Sequence, residues 1–156
     1  MGGKEQFIRR AIQQSVDSVL KGGGPYGAVI VKSGMIVANA GNTVTREKDP
    51  TAHAEINAIR MAAKKLDTYD LSGCEIYCSC EPCPMCLGAI YWARLDKIYF
   101  ANTSDTAKEF GFDDSFIYKE CETPADLRKV PTMHIQIDNA LDAFKVWKEK
   151  EDKIKY

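Results

Sequence analysis

The sequence predicts a single α/β domain in which helices pack against a mixed sheet of five strands. Segments with the apolar spacing of strands alternate with segments that have the spacing of helices, and this alternation favours layered α/β folds. The first two strands are separated only by residues 32–34, which predicts an antiparallel hairpin. A chain of 156 residues suits one domain. We therefore expect residues 1–156 to form one unit, with residues 139–156 as its C-terminal helix and tail.

The first helix is predicted over residues 7–20, because its apolar residues recur at three- and four-residue spacing. The glycine-rich stretch 22–25 ends this helix. Residues 28–31 and 35–38 then have the composition of buried strands and form the two arms of the hairpin.

The middle of the chain predicts a helix, a strand and a second helix. The helix starts at residues 49–51, where Asp, Pro and Thr are typical of a helix start, and it runs to about Leu66. Residues 74–79 form the third strand. Residues 83–93 form a short helix, since Pro82 precedes them and the apolar spacing stays helical.

The last third of the chain gives a weaker pattern. Residues 97–101 predict a fourth strand, whereas residues 103–119 are expected to be irregular with two short helical pieces around Gly111. Residues 133–137 alternate weakly and predict the fifth strand. A last helix follows, marked by apolar residues at helical spacing: Leu141, Phe144 and Trp147.

Composition and charge argue against several classes of function. The 21 basic and 22 acidic residues give a formal net charge of -1, whereas a nucleic-acid-binding face is typically basic. No apolar run approaches the roughly 18 residues that a membrane span requires. The N-terminus has no apolar signal-peptide core, so we expect a cytoplasmic protein whose six cysteines stay reduced.

One histidine and two cysteines have the spacing of a metal site. His53 stands at the start of one predicted helix, and Cys83 and Cys86 stand three residues apart at the start of another. One nitrogen and two sulfurs are a ligand set that suits Zn²⁺, and three protein ligands leave the fourth tetrahedral position open for water. A helix N-terminus also favours the thiolate form of a cysteine. The sequence therefore predicts one catalytic Zn²⁺ per chain.

Glu55 adds an acid–base group to this site. It lies two residues after His53, and in the first turn of a helix both side chains can reach one centre. A carboxylate beside zinc-bound water can take up a proton and deliver it to a leaving group. The combination of H-x-E with P-C-x-x-C is an established signature of zinc deaminases.

The remaining cysteines and histidine allow other interpretations. Cys80 lies three residues before Cys83 and could complete a structural site of three cysteines and one histidine. Cys74 and Cys78 share one parity on a strand with Cys80 and are expected to be buried thiols. We expect His134 to have an ordinary surface or packing role.

Together these motifs resemble the cytidine-deaminase-like superfamily, and within it the guanine deaminases. The similarity covers essentially the whole chain. The zinc motifs mark the superfamily, and the stretch Phe112, Asp113, Asp114 and the terminal Tyr156 are more particular to the guanine deaminases. The stretches that carry the resemblance are residues 24–30, 49–55, 79–94 and 111–118.

This resemblance implies the hydrolytic deamination of guanine to xanthine and ammonia. It implies zinc on His53, Cys83 and Cys86, with Glu55 as the acid–base group. Further residues are expected to contact or enclose the substrate: Asn42 on the purine ring, Asp114 on the amino and N1–H side of guanine, Tyr26, Ala54 and Tyr156. Family members commonly carry Phe at the position of Tyr26, so the Tyr26 hydroxyl adds a polar group to a ring expected to stack on the base. The residues alone leave open whether Asp113 or Asp114 reads the base.

The resemblance also implies a three-layer α/β/α sandwich and a homodimer in which the C-terminal segment can be exchanged between chains. Other functions compatible with the zinc motif are deamination of guanosine or another nucleoside, deamination of another base such as cytosine or adenine, and deamination of adenosine in tRNA. The near-neutral charge disfavours the tRNA reaction. A different class of function is a zinc-stabilised binding module without catalysis.

Overall fold

The computed structural model describes residues 2–156, and the chain divides into two compact units, Met1–Ser115 and Phe116–Tyr156. The first unit contains four strands, most of the helices and the beginning of α6. Its elements follow one another in this order: α1 Gly2–Leu20, β1 Gly27–Lys32, β2 Met35–Gly41, α2 Val44–Glu47, α3 Ala54–Leu66, β3 Cys74–Cys80, α4 Pro84–Trp92, β4 Lys97–Asn102 and α5 Ser104–Glu109. Helix α6 spans Ser115–Glu122.

The sheet is mixed and has the strand order β2-β1-β3-β4. Strand β1 pairs antiparallel with β2 and with β3, whereas β3 and β4 are parallel. The predicted hairpin is confirmed, because the short turn after Lys32 lets β2 return directly beside β1. The parallel pair needs a crossover, which α4 provides.

Helices cover both faces of this sheet. Successive residues of β1 point to opposite faces, so alternate side chains of this strand pack against different helices. Val29 and Val31 pack with Phe7 and Ala11 of α1, together with Tyr77 of β3. On the other face lies the larger core, to which β1, β2, β3, α3 and α4 contribute: its buried members include Ala28, Ile30, Ala38, Ala40, Ile76, Cys78, Ala54, Ala58, Ala62 and Ile90. The α/β class and the layers on both sides of the sheet are thus present in the first unit.

The number of strands differs from the prediction. The sheet has four strands among residues 2–156, and residues 133–137 do not form a strand within the chain. A strand is defined by its ladder of hydrogen bonds, and an alternating sequence can only indicate that a segment is suited to one. The alternating side chains Met133, Ile135 and Ile137 are exposed.

The starts of the two site helices also differ from the prediction. Helix α3 begins at Ala54 and not at Asp49. The Asp49 Oδ1 accepts hydrogen bonds from the backbone N–H and the hydroxyl of Thr51, and this turn holds residues 49–51 out of the helix. Similarly, α4 begins at Pro84, and Cys83 occupies the N-cap position. His53 and Cys83 are therefore both N-cap residues in extended conformation.

The second unit, Phe116–Tyr156, contains the rest of α6, a 3₁₀ turn at Ala125–Leu127 and α7 at Asp142–Glu149. The two short helices predicted around Gly111 are confirmed as α5 and α6, and the predicted last helix is confirmed as α7. Phe144 and Val146 of α7 are exposed. None of the described helices is long and apolar enough to span a bilayer.

Candidate active site

His53, Cys83 and Cys86 lie together where the N-termini of α3 and α4 meet. The Nδ1 atom of His53 is 3.5 Å from the Sγ of Cys83 and 3.5 Å from the Sγ of Cys86. His53 and Cys83 are the N-cap residues of the two helices, and Cys86 lies in the first turn of α4. The helix starts, fixed by the turn at residues 49–51 and by Pro84, therefore aim all three side chains at one point.

The chemistry and spacing of these three donors fit a zinc ion. Their ligand atoms all lie within 4.8 Å of one another. The two Nδ1–Sγ distances of 3.5 Å match the separation of ligands around one tetrahedral centre, since Zn–S and Zn–N bonds are about 2.3 and 2.0 Å long. A hydrogen bond from the Cys86 thiol, together with the adjacent His53 ring, lowers the pKa of Cys83 to about 4 against the opposing effect of burial. Cys83 therefore ionises more readily than Cys86, whose pKa is raised by the same contact with Cys83 and by burial.

Cys80 is not part of this group of donors. Among the described residues, the cluster that could hold a metal ion consists of His53, Cys83 and Cys86. The Cys80 thiol instead lies 3.5 Å from the carbonyl oxygen of Thr103, to which it donates. The geometry thus favours an open site with three ligands over the alternative with four.

Glu55 is buried beside the three donors, with 4% of its surface exposed. Its Oε2 atom is 3.4 Å from the Sγ of Cys86, so His53 and Glu55 do reach one centre from the start of α3. Burial raises the pKa of the Glu55 carboxyl group. A carboxyl group with a raised pKa is suited to take up and release a proton near neutral pH. Ala54, between the two, is fully buried and does not line the cavity in front of the site, so its predicted contact with the substrate stays a prediction.

A cavity of about 410 Å³ opens in front of these residues, entirely within the first unit. It brings together side chains from the glycine-rich loop, the end of β2, the starts of α3 and α4, and the loop before α6. The predicted residues that line it are Tyr26, Asn42, His53, Glu55, Cys83 and Asp114. Tyr156 belongs to the second unit, and its predicted role stays a prediction.

Asn42 directly follows β2 and is 8% exposed. Its Oδ1 atom accepts hydrogen bonds from the backbone N–H groups of Val44, at 3.1 Å, and Gly24, at 3.4 Å. Because the oxygen is occupied by the backbone, the Nδ2 amide is the group that Asn42 can offer to a ligand. The side chain therefore acts as a hydrogen-bond donor towards a ring nitrogen or carbonyl oxygen.

The two neighbouring aspartates have different surroundings. Asp113 accepts hydrogen bonds from the N–H and hydroxyl of Ser115 and forms an ion pair with Lys108 at 3.2 Å. These contacts, Ser115 first, lower the pKa of Asp113. Partial burial raises the pKa of Asp114. Asp113 is therefore committed to its own loop, and Asp114 is the aspartate better placed to bind a ligand.

Aromatic side chains form one wall of the cavity. Tyr26 meets Phe112 edge to face, with ring centroids 5.4 Å apart and an interplanar angle of 89°. Burial, followed by the proximity of Cys80 and Asp114, raises the pKa of Tyr26, so its hydroxyl stays protonated. Phe112 had no predicted role in the site. Its position beside the aspartate pair was the available signal, but a ring contact 86 residues away in sequence is not visible in any local pattern.

Glu81 was also missed by the sequence interpretation. It lines the cavity, and its Oε2 accepts a hydrogen bond of 3.0 Å from the backbone N–H of Ser104. This contact ties the end of β3 to the start of α5. The only indication in the sequence was its position between Cys80 and Pro82. Spacing alone does not distinguish a glutamate that binds a backbone N–H group from one that binds a ligand.

Comparisons with known proteins agree with this geometry. The family model for the zinc-binding region of cytidine and deoxycytidylate deaminases matches residues 1–102. A guanine deaminase of Bacillus subtilis is 50% identical over 153 residues, which are 97% of this chain and 98% of that protein. The X-ray structure of guanine deaminase from Bacillus subtilis has a TM-score of 0.96, covering 97% of this chain and 98% of that chain.

Two further similarities are more distant. A tRNA-specific adenosine deaminase of Aquifex aeolicus is 46% identical over 99 residues, which are 64% of this chain and 66% of that protein. A chain solved in complex with 2,6-diaminopurine is 35% identical and has a TM-score of 0.69, covering 71% of this chain and 62% of that chain. The family model covers about two thirds of the residues, including all three donor side chains. This chain belongs to the zinc-binding cytidine and deoxycytidylate deaminase family.

Proposed function

We propose that this protein hydrolyses guanine to xanthine and ammonia. The observation that carries the proposal is the cavity in which Glu55, His53 and Cys83 lie together with Asp114, while Cys86 completes the set of three donors from behind the cavity wall. The 50% identity to a guanine deaminase over nearly the whole of both chains supports the same substrate. The complex of a related chain with 2,6-diaminopurine supports a purine-sized ligand.

The site requires a metal ion held by His53, Cys83 and Cys86, and their donor set fits Zn²⁺. When bound there, zinc supplies an open coordination position for water and lowers the pKa of that water. Glu55 would accept a proton from the water as the oxygen adds to C2 of guanine and the electron pair of the C2–N3 double bond moves to N3. Glu55 would then pass that proton to the amino nitrogen on C2, the C–N bond would break with loss of ammonia, and the proton of the new C2 hydroxyl would move to N3 to give xanthine.

Asp114 is proposed to orient the base. Guanine presents two adjacent donors, N1–H and the 2-amino group, and an ionised carboxylate is an acceptor that can receive both hydrogen bonds. Asp113 is the weaker candidate, since its oxygens already bind Ser115 and Lys108. The Nδ2 of Asn42 would donate to an acceptor on the ring.

The ring of Tyr26 would form a face against which the base stacks, with the edge contact to Phe112 holding it in place. The backbone of Ala54, between His53 and Glu55, would also contact the substrate. Tyr156 is proposed to close the pocket.

A substrate panel tests the proposal. Purified enzyme with measured zinc content is assayed with guanine, guanosine, adenine, cytosine and cytidine. Turnover of guanine well above that of the other compounds is expected. Preferential turnover of guanosine would indicate a nucleoside deaminase, and turnover of cytosine with inert guanine would contradict the proposed substrate. Salt-sensitive binding of a tRNA anticodon stem would revive the tRNA alternative.

A homodimer is proposed as the working form, in the cytoplasm. All six cysteines are free, which is compatible with a reducing compartment. Tyr91 and Trp92 of α4 are 76% and 68% exposed, and aromatic side chains of this kind are enriched at protein interfaces. Strand β4 is an edge strand among the described residues, with Phe100 exposed.

The missing fifth strand is proposed to come from the dimer partner. Residues 133–137 would add to the free edge of β4 in the second copy, with residues 139–156 following as the exchanged C-terminal helix and tail. The alternating, exposed Met133, Ile135 and Ile137 support this, because they are suited to one buried face of a strand. An unpaired edge strand is a template for such an addition.

Complementation between two inactive variants tests the exchange. One variant carries Glu55→Gln with an intact tail, and the other keeps Glu55 but lacks Tyr156. If the tail of one chain closes the pocket of the other, the mixed dimer contains one site with both Glu55 and Tyr156, and activity returns. Mixtures that form dimers but stay inactive would show that the tail acts on its own chain, and full activity of the variant that lacks Tyr156 would show that the tail has no role in the pocket.

A further inference from the structure

The turn that carries Asn42 is held from two sides by residues outside the cavity. Ser18 lies on α1 and Asn57 on α3, and neither is among the residues that line the candidate active site. Each nevertheless donates hydrogen bonds to the backbone or side chains of residues 41–43. Together these two residues are called the Asn42 clamp.

Ser18 holds the turn from the side of α1. Its hydroxyl lies 2.7 Å from the carbonyl oxygen of Asn42 and 2.8 Å from the carbonyl oxygen of Gly24, and its single proton is shared between the two. Ser18 is only 7% exposed. The packing leaves no room for adjustment, since a Cβ atom on Gly23 would overlap the Asn42 carbonyl oxygen.

Asn57 holds the turn from the side of α3. Its Nδ2 atom donates to the carbonyl oxygen of Gly41 at 3.0 Å and to the Oγ1 of Thr43 at 2.9 Å, on either side of Asn42. It also lies 3.3 Å from the carbonyl oxygen of Ala52. That oxygen has a second donor, the backbone N–H of Thr43 at 3.0 Å, so the segment before His53 does not depend on Asn57 alone.

The clamp fixes the direction of the Asn42 amide. The backbone N–H of Asn42 donates to the carbonyl oxygen of Tyr26 at 3.1 Å, and Oδ1 is occupied by Val44 and Gly24. With its carbonyl oxygen held by Ser18 and its neighbours held by Asn57, the residue has little freedom to rotate. A preset donor binds its acceptor without an additional loss of conformational entropy.

We propose that Ser18 and Asn57 are positioning residues that set the affinity for the purine ring by holding Asn42 in its binding orientation. The inference rests on the proposed function for its substrate, guanine. It predicts an effect on KM and not on kcat, because the side-chain hydrogen bonds of both residues go to residues 41–43, Gly24 and Ala52, and the one bond from Asn57 to His53 joins backbone atoms that the substitutions keep.

The experiment compares Ser18→Ala and Asn57→Asp with wild-type enzyme. The first removes one hydroxyl, and the second replaces the donor by an acceptor of the same shape facing two carbonyl oxygens. We expect KM for guanine to rise about tenfold in each, with kcat and zinc content within about twofold of wild type. Ser15→Ala is the matched control, since Ser15 also lies on α1 but its hydroxyl donates to Ile12 within the helix. If Asn57→Asp does not fold, Asn57→Ser replaces it, with a smaller rise expected.

A double-mutant cycle separates positioning from general stability. In an Asn42→Ala background, the two substitutions should change KM less than about twofold, because the amide they position is absent. An unchanged KM in the single variants would overturn the proposal. The same KM increase with and without Asn42 would overturn it as well, because the two residues would then act on the fold in general.

Amide hydrogen exchange tests the clamp independently of activity. The N–H groups of Asn42 and Val44 should exchange faster in Ser18→Ala and Asn57→Asp than in wild type, and Ser15→Ala should leave both rates unchanged. If wild-type enzyme does not act on guanine, the proposed function fails while this measurement still decides whether the clamp exists. Equal exchange rates in all four proteins would refute it.

Discussion

The two units of the chain differ in how far their apolar side chains are buried. In Met1–Ser115, apolar side chains are buried on both faces of the sheet, whereas none of the buried core residues belongs to Phe116–Tyr156. In the second unit, Leu127, Val130, Met133, Ile135 and Phe144 are each 71% or more exposed. The first unit therefore contains both a core and a complete set of proposed catalytic groups. The second has apolar surface that is suited to a partner.

The largest expected effect lies in the first unit. Glu55→Gln keeps the size of the side chain but removes its acid–base capacity, so we expect turnover to fall about a thousandfold. Assembly and zinc content, measured by light scattering and metal analysis, should not change. Glu47→Gln, on an exposed position of α2, is the control and should retain activity. If Glu55→Gln lost its zinc or dissociated, Glu55 would also be needed for metal binding or assembly. Catalysis by the first unit and association through the second would then not be independent.

The next largest effect is expected from Asp114→Asn. It converts an acceptor of two hydrogen bonds into a mixed donor and acceptor, so KM for guanine should rise about 10- to 100-fold. Asp113→Asn should raise it less than about threefold, because Asp113 binds Lys108 and Ser115 at the surface. If Asp113→Asn raised KM more than Asp114→Asn, Asp113 would be the residue that binds guanine.

The dependence of binding on pH gives a related test. Because burial raises the pKa of Asp114, its charged form is lost as the pH falls through that raised pKa. Guanine affinity should then decrease about tenfold per pH unit on the acid side. Calorimetry on Glu55→Gln excludes the titration of Glu55 itself. Asp114→Asn in that background should remove the acid limb, and a limb that persists would belong to another group.

Ile135→Asp tests the second unit. A charge on the face proposed to pair with β4 should weaken dimerisation at least about tenfold, as measured by sedimentation, while the first unit stays folded. Met35→Asp is the matched control, because Met35 is also exposed, at 70%, but lies at the start of β2 in the first unit. Equal dimer affinity in both variants would remove the basis for strand exchange.

The smallest effect is expected from Tyr26→Phe. The ring can still meet Phe112 and stack on a base, so only the contribution of the hydroxyl is lost. Relative turnover of guanine and adenine should change less than about threefold. A larger change would make the Tyr26 hydroxyl a determinant of substrate choice.

The sequence was sufficient to predict the metal-binding cluster, because each half of it is a local motif and the two halves together match an established signature, although 30 residues separate His53 from Cys83. His53 with Glu55, and Cys83 with Cys86, lie within one helical turn of each other, so their spacing reports directly on geometry. The hairpin was predictable for the same reason. The α/β class followed from the alternation of helices and strands, whereas helix layers on both faces of the sheet were implied by the resemblance.

Features that depend on distant contacts could not be predicted in this way. The difference between Asp113 and Asp114 comes partly from the ion pair with Lys108, and the start of α3 comes from the turn at Asp49. The strand at 133–137 was expected from its alternation, but pairing needs a second strand, which the pattern does not specify. Ser18 and Asn57 were missed because nothing in their immediate neighbours indicates a link to Asn42.

The N-cap positions of α3 and α4 have a consequence for engineering the protein. Natural helices are often capped by Ser, Thr, Asp or Asn, whereas here His53 and Cys83 occupy these positions without a capping hydrogen bond from their side chains. A design procedure that optimises thermal stability would replace both residues with standard N-cap residues. Each replacement would raise the free energy of unfolding by about 1 kcal/mol. Each such change would remove one of the three candidate metal ligands. Thermal tolerance in this scaffold should therefore be sought elsewhere, for example at the exposed end of α1.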